Sequence, residues 1–201
     1  MPRLKLRTPE LRDHVLLAAE ATLARDGVEG FTTKRIATDA ATSVPAIYEM
    51  FGDKNGLLRE LFFVGFRKLA AAVAAVPSSD DPRADVVALA RAYRVFSLAH
   101  PSLSKLMFSQ PFATFAPTAE DLAAADTSRR ALVKAVRRCI DAGMVHGDPV
   151  DASHVLLALV QGLIAQETAG LLGKGKASCD RRWDVALSMF FLTRPSGEGC
   201  Y

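Results

Sequence analysis

Cysteine is scarce and unpatterned in this chain of 201 residues. Cys139, Cys179 and Cys200 form an odd set with no Cys-x-x-Cys pair, which argues against a disulfide framework and against a cysteine-built zinc site. His146 and His154 fall on opposite sides of an expected helix break, a poor arrangement for metal ligands. Long apolar runs are also missing. The greasiest stretches, 61–76 and 155–164, are broken by Arg67 and Lys68 or fall short of the roughly 18–20 residues that a bilayer span needs. No apolar segment of a secretory signal heads the sequence, so a cytoplasmic chain with no membrane partner is expected. Excess charge is small, at 25 Lys and Arg against 22 Asp and Glu, and residues 1–56 hold eight of each sign, so this is no generic polyanion binder. Enzyme signatures are lacking too: there is no Gly-x-Ser-x-Gly elbow and no phosphate loop. The nearest nucleophile and base, Ser97 and His100, sit at ordinary helical spacing, so neither catalysis nor a cofactor is expected.

What the chain has in quantity is helix-forming sequence. Half the residues are apolar and 23% are charged, enough to bury a core. Alternating runs of Val, Ile and Thr are absent, which points to an all-α fold. The first helix is predicted to start at Thr8-Pro9-Glu10, where Thr8 caps free N–H groups and Pro9 suits the first turn. Its apolar stripe through Leu11, Val15, Leu16, Ala19 and Leu23 stops at Asp26-Gly27. Two short helices follow, one from Thr32-Thr33 to near Ala40 and one opened by Ser43-Val44-Pro45 and closed near Phe51. A long helix then runs over 54–76 to the break at Pro77-Ser78-Ser79-Asp80-Asp81-Pro82. Further helices are expected over 82–99, a short one to 108, then 119–142, 149–172 and 180–192. Ahead of them all, Arg3, Lys5, Arg7 and Arg12 make a basic arm that suits either a phosphate contact or a frayed, solubilising terminus.

The two short helices carry the functional signal. Ile36, Ala37 and Ala40 give the first a core face, Ile47 and Phe51 do so for the second, and the small alanines let the pair cross closely. The second helix then presents Val44, Pro45, Ala46 and Glu49 outward, as a recognition helix does in a major groove. Thr33, Ile36, Ala37, Ala40, Ser43, Ile47, Tyr48, Phe51, Lys54 and Leu57 together resemble the DNA-binding signature of the TetR family, with one residue fewer between Thr33 and Ile36. Ala41 and Thr42 depart from it, where the family usually has Gly and Val. A turn that prefers positive φ would strain Ala41, and Thr42 weakens a core contact. The resemblance implies an N-terminal three-helix helix-turn-helix domain in 1–56, with the recognition motif near 33–52, and a helical effector-binding and dimerisation domain in 57–201. It implies phosphate contacts from Thr33, Tyr48 and Lys54, with Ser43 capping, touching phosphate, or both. Base reading falls to Val44, Pro45, Ala46 and Glu49; with no Arg or Asn among them, modest base specificity is expected.

Beyond residue 80, the stretch 93–108 resembles the helix-His-Pro-helix segment of the family's WHG-type C-terminal domains. Of that subfamily's Trp-x-x-x-His-Gly pattern only Gly162 remains, with Gln161 in the His position. Tyr93, Phe96, His100, Met107, Phe108, Phe112 and Gln161 are offered as the lining of an apolar effector pocket, together with Phe115, Gln166 and Glu167. Two later helices are apolar on more than one face. Leu156, Leu159, Val160 and Leu163, with Trp183, Leu187 and Phe190, therefore read as the seam of a two-fold homodimer. The expected partners are a palindromic DNA operator, a small apolar effector and a second copy of the chain. The expected function is a repressor released by its effector; the alternatives are a constitutive DNA-binding dimer that takes no ligand and, behind it, a small helical enzyme.

Overall fold

The computed structural model describes residues 8–108 and 119–191, and of 120–125 the backbone alone. The described residues form nine helices and no strand: α1 (Pro9–Asp26), α2 (Thr33–Asp39), α3 (Val44–Phe51), α4 (Lys54–Ala74), α5 (Pro82–Ala99), α6 (Pro101–Phe108), α7 (Ala119–Asp141), α8 (Pro149–Thr168) and α9 (Lys176–Phe190). The fold is all-α, with an N-terminal helix-turn-helix followed by further helices. Phe112, Phe115, Cys200 and the arm residues Arg3, Lys5 and Arg7 lie outside the described residues.

Local chemistry sets the boundaries. Thr8 Oγ1 accepts from the Leu11 N–H at 3.3 Å, and Pro9 opens α1, where its missing donor costs nothing. Ser43 and Asp148 cap α3 and α8 in the same way, each followed within two residues by a proline. At α4 the Asp53 carboxylate accepts from the Gly56 N–H at 2.7 Å. The sequence ran α8 on to about residue 172, but the helix ends at Thr168. Gly170 takes φ +71, and the N–H groups of Leu171 and Leu172 turn back to the Gln166 carbonyl, closing the last turn. α9 correspondingly starts earlier than expected, at Lys176 after Gly175.

The chain divides into two units. One is built on the sequence up to Lys68 together with the stretch from His100 to Ala124, and the other on Leu69–Ala99 and the sequence from Ala125 onward. In the first, α1 packs on α2 and α6, and α2 packs on α3. Their shared core takes Val15, Leu23, Phe31, Ile36, Ile47 and Phe51 and continues into Leu57, Leu61, Leu103 and Leu106. Residues beyond 56 therefore help to hold the short helices, which could bury little by themselves. A Cβ on Gly65 would collide with the Met107 side chain, so glycine is what lets α4 and α6 approach there.

In the second unit α5 packs on α8, and α8 on α9. Arg94 crosses this layer: its guanidinium donates to Glu167 at 2.5 and 2.8 Å and to Asp180 at 2.7 Å, and it lies 5.0 Å over the Trp183 ring. The Trp183 indole N–H donates to Glu167 at 2.8 Å. Arg94 and Glu167 are 14% and 13% exposed, so the pair is well shielded. Hydrogen bonds from Arg94 hold the Glu167 carboxyl below its ordinary range.

The same packing separates the residues read as a dimer seam. Leu156, Val160, Trp183, Leu187 and Phe190 are buried inside the protomer's own core, while Leu159 and Leu163 are half-buried. On these two helices the large apolar side chains that face solvent are others: Val155 on α8, 63% exposed, and Val185 and Met189 on α9, at 50% and 63%.

Candidate DNA interface

The turn between α2 and α3 is short and strained. Ala41 adopts φ +49, a left-handed backbone that no other non-glycine takes among the described residues. Its N–H bonds to the Thr38 carbonyl at 3.1 Å, and the Thr42 N–H reaches the Ala37 carbonyl at 2.8 Å, so the chain reverses within three residues. The Thr42 hydroxyl is buried with no hydrogen-bond partner among the described residues. The two departures from the family pattern thus fall where a glycine and a valine would fit better.

The turn brings two expected phosphate ligands together. Thr33 opens α2, Tyr48 lies mid-way along α3, and their hydroxyl oxygens are 3.2 Å apart. Tyr48 is 42% exposed, unusual for an aromatic on a helix whose Ile47 and Phe51 are buried. Ser43 accepts from the Ala46 N–H at 3.3 Å, which leaves its own hydroxyl proton free to donate outward. Lys54 begins α4, with its ammonium 6.0 Å from the centre of the buried Phe31 ring.

The recognition surface is narrower than the sequence suggested. Pro45 and Glu49 are exposed and Ala46 is half-buried, but Val44 packs against the core. The reason is periodicity: Val44 shares a helix face with Ile47 and Phe51, three and seven residues on. Arg12 is not part of a free arm either. Its guanidinium lies 4.9 Å over the Phe51 ring and pairs with Glu60 at 2.8 Å. Arg25 and Arg35 are drawn toward Asp26 and Asp39. Lys34, beside Thr33 in the first turn of α2, is exposed.

The proposed pocket residues divide between the units. Tyr93 and Phe96 are buried in the second, where the Tyr93 hydroxyl accepts from Gln161 Nε2 at 3.3 Å and burial pushes the phenol pKa up. His100, Met107 and Phe108 belong to the first. His100 Nδ1 lies 3.4 Å from Glu20, Met107 packs at Gly65, and Phe108 meets Phe66 edge-on at 5.7 Å. Glu167 is committed to Arg94 and Trp183. A cleft of about 250 Å³ does exist in the second unit, between α4, α5 and α7, and none of the residues named from the sequence lines it. Among the described residues no cluster of three His, Cys, Asp or Glu side chains could hold a metal, and no helix is long and apolar enough to cross a membrane.

Two family models match the sequence: one described as bacterial regulatory proteins of the tetR family, over residues 15–61, and one as a tetracyclin repressor-like C-terminal domain, over 86–190. None of the curated proteins matches it. A protein of unknown function from Rhodococcus sp. RHA1 is 30% identical, superimposes with a TM-score of 0.80, and is matched over 94% of this chain and 97% of its own. The TetR family transcriptional regulator PfmR from Thermus thermophilus shares 20% identity at a TM-score of 0.68, over 86% and 96% of the two chains. TetR-Q116A from Acinetobacter baumannii AYE, solved in complex with minocycline, shares 19% at 0.62, over 89% and 92%.

Proposed function

The chain belongs to the TetR family of DNA-binding transcriptional regulators, and we propose that it works as a homodimeric repressor that leaves a palindromic operator when a small, largely apolar effector binds. The observation that carries this reading is the exposed Tyr48 hydroxyl held against Thr33 across the α2–α3 turn. An aromatic kept out of the core, with its polar tip braced by a second hydroxyl, suits a phosphate oxygen at the edge of a groove. Thr33, Ser43, Tyr48 and Lys54 position the backbone, joined by Lys34. Pro45, Ala46 and Glu49, with the edge of Val44, read the bases: apolar groups meet thymine methyls and Glu49 accepts from a cytosine amine. DNA reading is carried within 1–56, and effector binding and dimerisation within 57–201.

A second copy is the occupant that fits the outer faces of α8 and α9. Val155, Leu159 and Leu163 follow one another at four-residue intervals, as do Val185 and Met189; Val155, Val185 and Met189 face solvent, and Leu159 and Leu163 are half-buried. A two-fold axis that pairs α8 and α9 with their copies buries both rows in a four-helix seam. Such a dimer sets two recognition helices about one turn of DNA apart, hence the palindrome. Effector binding in the helical half biases α4, the helix that runs on from the DNA-reading module, and shifts the population away from the DNA-competent spacing. The minocycline complex of the Acinetobacter relative is a precedent for a bound small molecule. Selection from random duplexes with the purified cytoplasmic protein tests the reading. Enrichment of an inverted repeat, with affinity falling steeply as salt rises, is expected. Enrichment of no repeat, together with salt-independent binding, overturns it.

A further inference from the structure

We propose that the cleft between α4, α5 and α7 is the effector site and that its ligand is a small monocarboxylic acid with an apolar body; the inference rests on the effector-released reading above. Ala74, Leu89 and Ala131 make much of the cleft wall, and the small side chains leave about 250 Å³ open. This space is near the lower end of small-molecule sites, so it suits a ligand below drug size.

The polar groups around it define the ligand's charge. Arg138 is committed: it donates to the Asp85 carboxylate, to Ser78 Oγ at 3.1 Å and to the Ser79 carbonyl at 2.6 Å. One turn earlier on the same face of α7, Lys134 lines the cleft and pairs with no acid among the described residues. Ser128 also lines it, and its hydroxyl is buried with no hydrogen-bond partner among the described residues. Asp85 and Arg138 neutralise each other, which leaves one net positive charge and one unsatisfied hydroxyl above an apolar floor. A cation would meet Lys134 unfavourably. A phosphate ester would need a second uncommitted cation. A neutral apolar ligand would leave the Ser128 hydroxyl unsatisfied. A single carboxylate reaching Lys134, with its hydrocarbon against Leu89 and Ala131, answers all the groups present.

Calorimetry on the full-length protein with benzoate and hexanoate against benzamide and hexanamide tests this, with release of the selected operator duplex read in parallel. The acids should bind at least about tenfold more tightly than the amides, the factor expected of a charge-assisted hydrogen bond. Lys134→Gln should abolish that preference, and Ala131→Phe should fill the cleft, while both variants keep operator affinity within about twofold. Because Lys134 is exposed, its replacement tests the site even if Ala131→Phe does not fold. Equal binding of acids and amides, an unchanged preference in Lys134→Gln, or no acid binding at about 10 mM by protein that still holds its operator would each overturn the inference. Acid binding without operator release would uphold the site and overturn the release mechanism alone.

Discussion

Restoring the family pattern at the α2–α3 turn should stabilise the protein, and the size of the gain follows from the backbone. Ala41 sits at φ +49, where a Cβ crowds the following carbonyl at about 1–2 kcal/mol. Ala41→Gly removes that strain but gives the unfolded chain more freedom, which returns about 0.4–1 kcal/mol, so the net gain is about 0.5–1 kcal/mol. At Thr42 the fault is polar: a buried hydroxyl has lost water and found no partner. Thr42→Val keeps the branched shape and removes that desolvation, for a gain of about 1 kcal/mol. Together the changes should raise the melting temperature by roughly 3–8 °C, at about 2–4 °C per kcal/mol for a chain of this length. Protein concentration must be held fixed, because dimerisation would couple to unfolding. Thermal and denaturant melts followed by helical circular dichroism measure the effect, and Ala41→Val, a β-branched residue in the same conformation, should lower stability. If Ala41→Gly lowers the melting temperature or Ala41→Val raises it, left-handed strain is not what distinguishes this position. A loss on Thr42→Val would mean that the hydroxyl is satisfied in solution.

Lys54→Ala should weaken binding on every duplex alike and reduce the salt slope by about one per protomer, whereas Tyr48→Phe should weaken it uniformly with little change of slope; competition titrations at several salt concentrations separate the two. Glu49→Gln or Pro45→Ala should instead alter which duplexes are selected. Val155→Arg should yield a folded monomer in light scattering, because the side chain is exposed within the protomer, while Trp183→Ala should cost about 3–5 kcal/mol through an unfilled core. Glu167→Gln should destabilise by about 2–4 kcal/mol by leaving the shielded Arg94 short of a counter-charge. Because the folded Glu167 carboxyl titrates below its unfolded counterpart, its contribution is complete above about pH 5 and fades as pH falls through the depressed folded value. Acid unfolding of Glu167→Gln should therefore show a shallower limb than that of the parent.

The features legible in the sequence were those decided over three or four residues. Thr8, Ser43 and Asp148 cap the helices they precede because each side-chain oxygen accepts from a first-turn N–H that has no carbonyl partner, and a proline within two residues suits that turn. The strain at Ala41 was visible because a turn of that length needs a left-handed residue. Errors entered where several residues compete for one role. Gly170, Gly173 and Gly175 all suit the end of α8, and the first takes it because Leu171 and Leu172 can fold back on Gln166. The cleft was invisible for a related reason. Large apolar side chains suit a pocket lining, yet Tyr93, Phe96, Met107 and Phe108 are taken up by packing, and space opens where alanines line α4 and α7.

Helix α8 shows how far periodicity reaches. Leu156, Val160 and Ile164 form one row and Val155, Leu159 and Leu163 another, offset by a single residue and so about 100° apart round the helix. Both rows are aliphatic and both recur every four residues. A set made of Leu156, Leu159, Val160 and Leu163 therefore straddles them. Composition shows only that α8 is apolar on more than one face, and tertiary packing decides which face the protomer covers. Here the inner row meets α5 and α9 around Trp183, whose indole is fixed by Glu167, itself fixed by Arg94. With the helix held this way, Val155 faces outward while Leu159 and Leu163 are half-buried. A charge introduced at Val155 should then act on association without touching the fold, and the same charge at Leu156 should do the reverse.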